Sequence, residues 1–532
     1  MCCCAAVAPM RNDPADFRPL RLQQPPMPAD TALSPAHVML LILALAAGLR
    51  LWSLLTHSYV AFNDETLQYF EQAHRLAYGS GVVPWEFIDG IRSWLLPGLI
   101  AGIMRLLSPF EDSPDAYVPA VRLCFVAMSL VVPWLGWRIG EARFGLPGAV
   151  AGGLMGAFSY ELVYFAPAVM TEALAAHIAL LALYLGETAP GGGMMAMRRL
   201  VFTGALFGVA AVLRYQYAPA LALAALWQHG RSLREVLVLA IGALVTVLLF
   251  GGVLDAFTYG APFQTIWLNF QRNALDGISV AMGTEPWYYP VAYFAAAWGG
   301  LAPLLALLAL VGAMATPSLA LLMMATLAVH MLSPHKELRF TYLALAIMPL
   351  LIGYGIAGVL RAAGRLRWLP GWACGAAAVA ILATLLAGGE AMIARRHATP
   401  LDAWHRNRST LLAYAAARNV PGLCGLGVRT EWVYFTGGYT YLHRDVPIYF
   451  ETFAAAQRLE GSGFHMRLKV VRDGRPVPQY PDLALLGATD RFNVLIGRFW
   501  DRLPGFVPVA CFGRGTADDR RICVFHRPGP CA

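Results

Sequence analysis

The run VMLLILALAAGLRLWSLL, residues 38–55, leads within ten residues into Phe62-Asn63-Asp64-Glu65. A helix needs about 20 apolar residues to cross the hydrocarbon of a bilayer, and this run nearly supplies them. Val236–Leu254 and Tyr342–Leu360 read the same way. Of the 532 residues, 58% are hydrophobic and only 14% charged, with a mean hydropathy of +0.55. Soluble domains carry about 25% charged residues. A soluble multidomain enzyme, a disordered chain and a collagen-like chain are therefore excluded, and the chain reads as an α-helical polytopic membrane protein.

The formal charge of +8 is almost all arginine, since Lys336 and Lys469 are the only lysines among 40 basic residues. No basic patch with interleaved aromatics suggests nucleic acid. Short arginine-rich loops face the cytoplasm, and five qualify: the tail with Arg11, Arg18 and Arg21, then Arg138–Arg143, Arg198–Arg199, Arg231–Arg234 and Arg361–Arg367. The apolar segments are 37–55, 94–108, 117–138, 146–166, 170–186, 200–226, 235–254, 290–313, 317–333, 340–360 and 369–388. All five basic loops fall on one side if 94–108 lies in the interface and 200–226 breaks at Arg214–Pro219 into two short spans. The expectation is about 11 transmembrane helices. A cytoplasmic tail (1–36) precedes a transmembrane catalytic module (37–389) with outside loops at 57–114 and 255–289. An extracytoplasmic mixed α/β domain (390–532) follows, with strand-like runs at Glu431–Phe435, Met466–Val470 and Phe492–Ile496. The opening Met1-Cys2-Cys3-Cys4 lacks the pattern of a cleavable signal. Cys424, Cys511, Cys523 and Cys531 sit in the last region without CxxC metal spacing, and four cysteines allow three pairings.

Two clusters carry chemistry. Asp64 and Glu65 stand at a membrane–water boundary, where carboxylates cost desolvation energy unless used or paired. Asp64 suits a general base, or simply a helix N-cap. Beyond it, Glu71 and Arg75 have i,i+4 spacing and read as a local ion pair. His74 and Arg92 have no such partner, and Trp85 suits an interface anchor. The second cluster, Ser333-Pro334-His335-Lys336-Glu337-Leu338-Arg339-Phe340, places four ionisable residues within five positions between apolar spans. Cations there suit a lipid phosphate, with Glu337 orienting them.

His335-Lys336-Glu337-Leu338-Arg339-Phe340 resembles the H-K-E-x-R-F motif of the family 22 glycosyltransferases, the lipid-phosphate-mannose-dependent mannosyltransferases of N-glycan and GPI-anchor assembly. The first loop is similar too, through Asp64-Glu65, Gln68, Glu71, His74-Arg75, Tyr78-Gly79, Trp85-Glu86 and Ile91-Arg92-Ser93. Asp255 to Gly260, Asn269-Phe270 and Gly283 to Tyr289 follow in the family's order, most like the group of third mannosyltransferases in GPI assembly. Phe62-Asn63 stands where the family often has His-Pro, and Thr171-Glu172 where it has Thr-Asn.

The resemblance implies a GT-C fold and inverting transfer of mannose from a polyprenyl-phosphate or dolichyl-phosphate donor to a lipid-linked glycan acceptor on the extracytoplasmic face. Asp64 would be the base, with Glu65 beside it. His335, Lys336, Arg339, Arg92 and Arg214 would hold the donor phosphate. Glu337, His74, Trp85, Glu172, Asn269 and Trp287 would orient groups or bind acceptor. No cofactor is called for, and a divalent metal is allowed but not required. The partners are the donor, the acceptor and membrane lipids, in a bacterial plasma membrane or, for a eukaryotic chain, the endoplasmic reticulum. Transfer of arabinose or an aminosugar to a bacterial glycolipid stays open. A lipid or solute transporter is the alternative of another class, but it calls for charges at the bilayer midplane and paired half-repeats, which the sequence does not display.

Overall fold

The computed structural model describes residues 34–56, 60–188, 193–363, 407–429, 436–451, 457–458, 465–479, 489–501, 503–513 and 521–532, with the isolated positions 380, 383 and 387. The N-terminal cysteines, the apolar segment 369–388 apart from those positions, and the strand-like run 431–435 lie outside them.

Among the described residues, six helices are long and apolar enough to cross a membrane: Pro35–Thr56, Pro114–Phe144, Gly193–Leu213, Leu233–Tyr259, Tyr289–Ala315 and Leu338–Ala362. Leu95–Leu107, Leu146–Phe158 and Pro317–Leu332 are shorter apolar helices. Segment 94–108 forms a helix of only 13 residues, short for a full span. Segment 200–226 breaks where proline and the polar run require. Its first half, however, begins at Gly193 and reaches 21 residues, and the second, Ala218–His229, has 12. Arg198 and Arg199, read as loop residues, thus extend the helix.

Lipid tails give helices no hydrophobic drive toward one another, so close backbone approach at small residues supplies the packing. Val131–Phe144 and Leu146–Phe158 show this: a Cβ on Gly136 would meet the Gly152 carbonyl at 2.3 Å, and one on Gly140 would meet that of Gly148 at 2.1 Å. The one arginine of the opening run is buried against the same pair. Arg50 donates to the Gly156 and Ala157 carbonyls, each at 2.9 Å, and to Ser129 Oγ at 3.0 Å. Those carbonyls end the helix Leu146–Phe158, so the guanidinium satisfies acceptors that lack an intrahelical partner.

The C-terminal region holds a five-stranded mixed sheet in the order Ile448–Phe450, Leu426–Val428, Val494–Arg498, Ile522–His526, Val507–Phe512. The first three strands run parallel and the last two antiparallel to their neighbours. Disulfides Cys424–Cys531 and Cys511–Cys523 resolve the three possible pairings.

This region is welded to the first loop. Strand Gly81–Pro84 pairs antiparallel with Leu468–Arg472, Val82 opposite Val470. One apolar core takes Leu67, Val82, Trp85 and Ile91 from the loop and Tyr414, Leu426, Ile448 and Val494 from the C-terminal region. The expected Glu71–Arg75 pair does not form. Glu71 instead accepts from Val82 N (2.6 Å), Tyr439 N (3.1 Å), Thr440 N (2.6 Å) and Thr440 Oγ1 (2.5 Å), while the Arg75 guanidinium lies 4.7 Å from the Trp94 ring centre. Four directed donors outweigh one exposed i,i+4 pair, which is worth only about 0.3–0.5 kcal/mol. Gly438 (φ +57°) makes the contact possible, since a Cβ there would sit 2.3 Å from the Glu71 carboxyl carbon.

Candidate active site

The chain leaves its first span and starts a helical turn at Asp64. That turn, Glu65–Phe70, is a π-helix, a widened turn that recurs at functional sites. Asp64 occupies the N-cap position, but its side chain makes no cap hydrogen bond. It pairs instead with Arg339 Nη1. Glu65 points the other way, into the fold. It accepts from Ala61 N (2.6 Å), Phe62 N (3.3 Å) and Val169 N (3.0 Å), with Arg122 at 3.8 Å. Burial pushes the Glu65 carboxyl up, and Arg122 and the three N–H donors oppose that. Adjacent in sequence, one carboxylate faces the site and the other fastens the loop.

Three elements far apart in sequence join Asp64 in one network, which it enters through Arg339. Arg339 sits in the short 3₁₀ turn Leu338–Thr341 that opens the long helix after it, and it also binds Glu337 Oε2 (2.9 Å) and approaches Glu172 Oε1 (3.9 Å). Glu172 lies in the first turn of helix Thr171–Glu187. It pairs with Arg214 Nη1 at 3.3 Å. Arg214 reaches it because the backbone leaves the helix there (φ −145°, ψ 86°) before the 3₁₀ turn Tyr215–Tyr217. The broken segment thus serves the site. Three carboxylates and two guanidiniums alternate in one chain, Glu337–Arg339–Asp64 with Glu172 bridging Arg339 to Arg214; Glu172 and both arginines are buried, Asp64 and Glu337 partly exposed. Phe340 and Phe62 floor it. The Arg214 guanidinium lies 4.6 Å from the Phe340 ring centre, and Arg339 lies 4.4 Å from that of Phe62. Cations over ring faces are attracted by the ring quadrupole.

Beside the network opens a cleft lined by Arg92, Arg214, Tyr69, Ser93, Gln216 and Asn269 along with Leu95, Leu96, Val212, Leu213 and Ile266. Arg214 is buried and Arg92 half-buried, and the Nε of each lacks a hydrogen-bond partner. Charge on Arg92 is opposed by burial and favoured by Tyr69, Glu86, Asp64 and Glu172, which together raise its pKa. Asn269 is fixed by Tyr215 (2.8 Å) and by the Ile91 carbonyl (3.2 Å). A polar, cationic end joined to an apolar wall suits an amphiphile with an anionic head.

The family model described as the Alg9-like mannosyltransferase family matches residues 40–403, which contain this whole network. The chain belongs to the Alg9-like mannosyltransferase family. A GPI mannosyltransferase 3 of Yarrowia lipolytica is 26% identical over 77% of this chain and 76% of its own length. Mannosyltransferase APTG1 of Arabidopsis thaliana is 25% identical over 61% and 59%. The solved structure of ArnT from Cupriavidus metallidurans bound to undecaprenyl phosphate is 14% identical. It superposes with a TM-score of 0.55, covering 93% of this chain and 98% of that one. The fold is thus of the GT-C kind, with a small sheet region at its C-terminal end.

The mannosyltransferase network gathers Asp64, Glu172, Arg214, Glu337 and Arg339, with Arg92 and Asn269 on the adjoining cleft. Other residues named from the sequence sit elsewhere. Lys336 spends its ammonium on the carbonyls of Ser333 (2.5 Å), Glu285 (3.0 Å) and Pro334 (3.5 Å), so it staples the motif loop to the second loop. His335 does likewise through Gly283 O (2.8 Å) and Glu337 (3.3 Å). Burial works against charge on that ring, but these two contacts raise its pKa. Trp85 is in the core shared with the C-terminal region. His74 contacts Ser80 O (2.6 Å) and His443 Nδ1 (3.1 Å). Burial first, and His443 after it, drive the His74 pKa down to about 3. Trp287 is exposed, edge-on to Tyr288. Sequence reasoning gave no role to Tyr69, Phe62, Phe340, Gln68 or Glu86. Phe340 stood in the quoted motif and the rest in the first loop, but nothing local revealed which way each side chain turns.

Proposed function

We propose that this mannosyltransferase moves mannose from a polyprenyl-phosphate donor to a hydroxyl of a lipid-linked glycan, on the extracytoplasmic face and with inversion. The observation that carries the reading is Asp64 held by Arg339 beside a cleft lined by two arginines and an apolar wall. The donor's phosphate would sit at Arg92 and Arg214 with its prenyl tail along Leu95, Val212, Leu213 and Ile266. Asp64, oriented through Oδ2 by Arg339, accepts the proton of the acceptor hydroxyl on Oδ1. The hydroxyl oxygen bonds to the anomeric carbon as the bond to the phosphate oxygen breaks, and the electron pair leaves with the phosphate. The donor phosphodiester carries one negative charge and the product monoester up to two, so cations aimed at that oxygen stabilise the transition state more than the ground state.

Glu65 acts here as a positioning residue, since three N–H donors fix it away from the site. Lys336 and His335 then hold the motif loop instead of the phosphate, a change from their expected role. Three guanidiniums supply the positive charge, so no metal is called for. The two disulfides favour an oxidising compartment for the region packed on the site, which supports the extracytoplasmic placement. The reading is tested by supplying radiolabelled polyprenyl-phosphate-mannose to membranes that express the chain, with a total lipid extract as acceptor. New labelled glycolipid, absent with an empty vector, is expected. Label that crosses the membrane unchanged, with no new glycolipid, would contradict it.

A further inference from the structure

Beside the ion network lies a second polar group that the transfer steps above leave unused. Gln68, in the π-helical turn after Asp64, donates its Nε2 to Glu86 Oε1 at 2.9 Å. Both side chains are buried, at 2% and 7% exposure. Gln68 Oε1 and Glu86 Oε2, both acceptors, have no hydrogen-bond partner, and the donor Arg92 Nε also lacks one. Buried polar atoms in folded proteins are nearly always hydrogen-bonded. Two acceptors and one donor left open, beside a base, point to a polar ligand that brings its own hydroxyls.

Position identifies the ligand. In a single in-line displacement the base and the leaving phosphate stand on opposite sides of the anomeric carbon, so the transferred sugar must bridge Asp64 to the phosphate at Arg92 and Arg214. Gln68 stands about one turn beyond Asp64 and is bonded to Glu86, while Arg92 lines the cleft, so the three border that bridge; Glu86 also interacts electrostatically with both Arg92 and Asp64. We propose that Gln68 and Glu86, with Arg92 Nε, form the subsite that reads hydroxyls of the transferred hexose. The inference rests on the donor reading above and names the residues that select its sugar. Hydroxyls are the groups such a site rejects most strongly when they are missing, because the buried acceptors then stay unpaired.

The experiment compares wild type with Glu86→Gln, which keeps shape and removes charge, and with Gln68→Leu. Donors are polyprenyl-phosphate-mannose and its 2-, 3-, 4- and 6-deoxy analogues. Binding of sugar-free polyprenyl phosphate is measured in the same detergent-solubilised protein. Glu86→Gln is expected to lower kcat/KM for the full donor by 30-fold or more, with sugar-free phosphate bound within twofold of wild type. One deoxy donor should suffer a comparable loss in wild type and little further loss in the variant, and Gln68→Leu should share that pattern. Equal loss on every donor, unchanged transfer, or equal loss of sugar-free phosphate binding would each overturn the sugar subsite. Wild type that transfers no sugar from any of these donors would overturn the donor reading itself, a result distinct from a failing variant of an active enzyme.

Discussion

Asp64 and Glu71 lie seven residues apart on one loop, and the fold treats their carboxylates in opposite ways. Glu71 is wholly buried and takes four donors, three of them backbone N–H groups and two of those from Tyr439 and Thr440. Asp64 is about a quarter exposed at its side chain and is held by a single ion pair to Arg339. A saturated carboxylate has no lone pair to offer a substrate, and its removal leaves several buried donors stranded. A carboxylate held from one side by an arginine is oriented but still open to a proton. The same residue class thus serves as a structural rivet at one position and, on the proposed mechanism, as reactive chemistry at the other, and the donor inventory separates the two.

The contrast breaks if either residue behaves like the other. Asp64→Asn should cut transfer at least ~100-fold, the usual share of a general base, with a thermal midpoint in detergent within about 2 °C of wild type. A large fall in the midpoint would make Asp64 structural. Glu71→Ala should do the reverse. Stranding buried N–H groups costs ~1–3 kcal/mol each, so we expect the first loop to detach from the C-terminal sheet, read as faster hydrogen exchange over Gly81–Pro84 and Leu468–Arg472. Exchange as slow as in wild type would remove the rivet.

Smaller effects sharpen the division. Arg92→Gln and Arg214→Gln should each weaken polyprenyl phosphate about 10- to 30-fold, the loss of one charge-assisted hydrogen bond. Lys336→Met should change that affinity little and instead speed exchange of the loop that holds Glu285 and Ser333. The smallest effect is a pH dependence. His74 and His443 touch ring to ring and both have lowered pKa values, chiefly through burial. A histidine kept neutral in the folded state contributes stability that is full above its unfolded pKa of about 6.5 and is lost as pH falls below it. The two histidines should therefore loosen the contact between loop and sheet as pH drops from 6.5 towards 5, opposed by Glu71, whose carboxyl burial pushes up to about 7. His74→Asn should flatten that dependence, and a loss of equal slope in the variant would contradict it.

Membrane class, most helix positions and the core of the network were legible in the sequence because each rests on local signals. Apolar runs gave the helices, the polar interruption at Arg214 gave the break, and Asp64 with Glu337 and Arg339 marked the site. Glu71, His74 and Trp85 were misread because their partners stand more than 350 residues away or inside a core built from both ends of the chain. Lys336 was conspicuous as one of two lysines, yet a cation's type does not say whether carbonyls or a phosphate will claim it. Glu65 and Asp64 were inseparable on paper, because the widened turn that sends them opposite ways is a tertiary outcome.

The central claim is that Asp64 acts as base in one displacement at the anomeric carbon. NMR of the purified product, formed from a donor of defined anomeric configuration, tests it directly. The account predicts the opposite anomer in the product. A product that keeps the donor's configuration would require a covalent sugar intermediate and a nucleophilic carboxylate, and would contradict the assignment of Asp64.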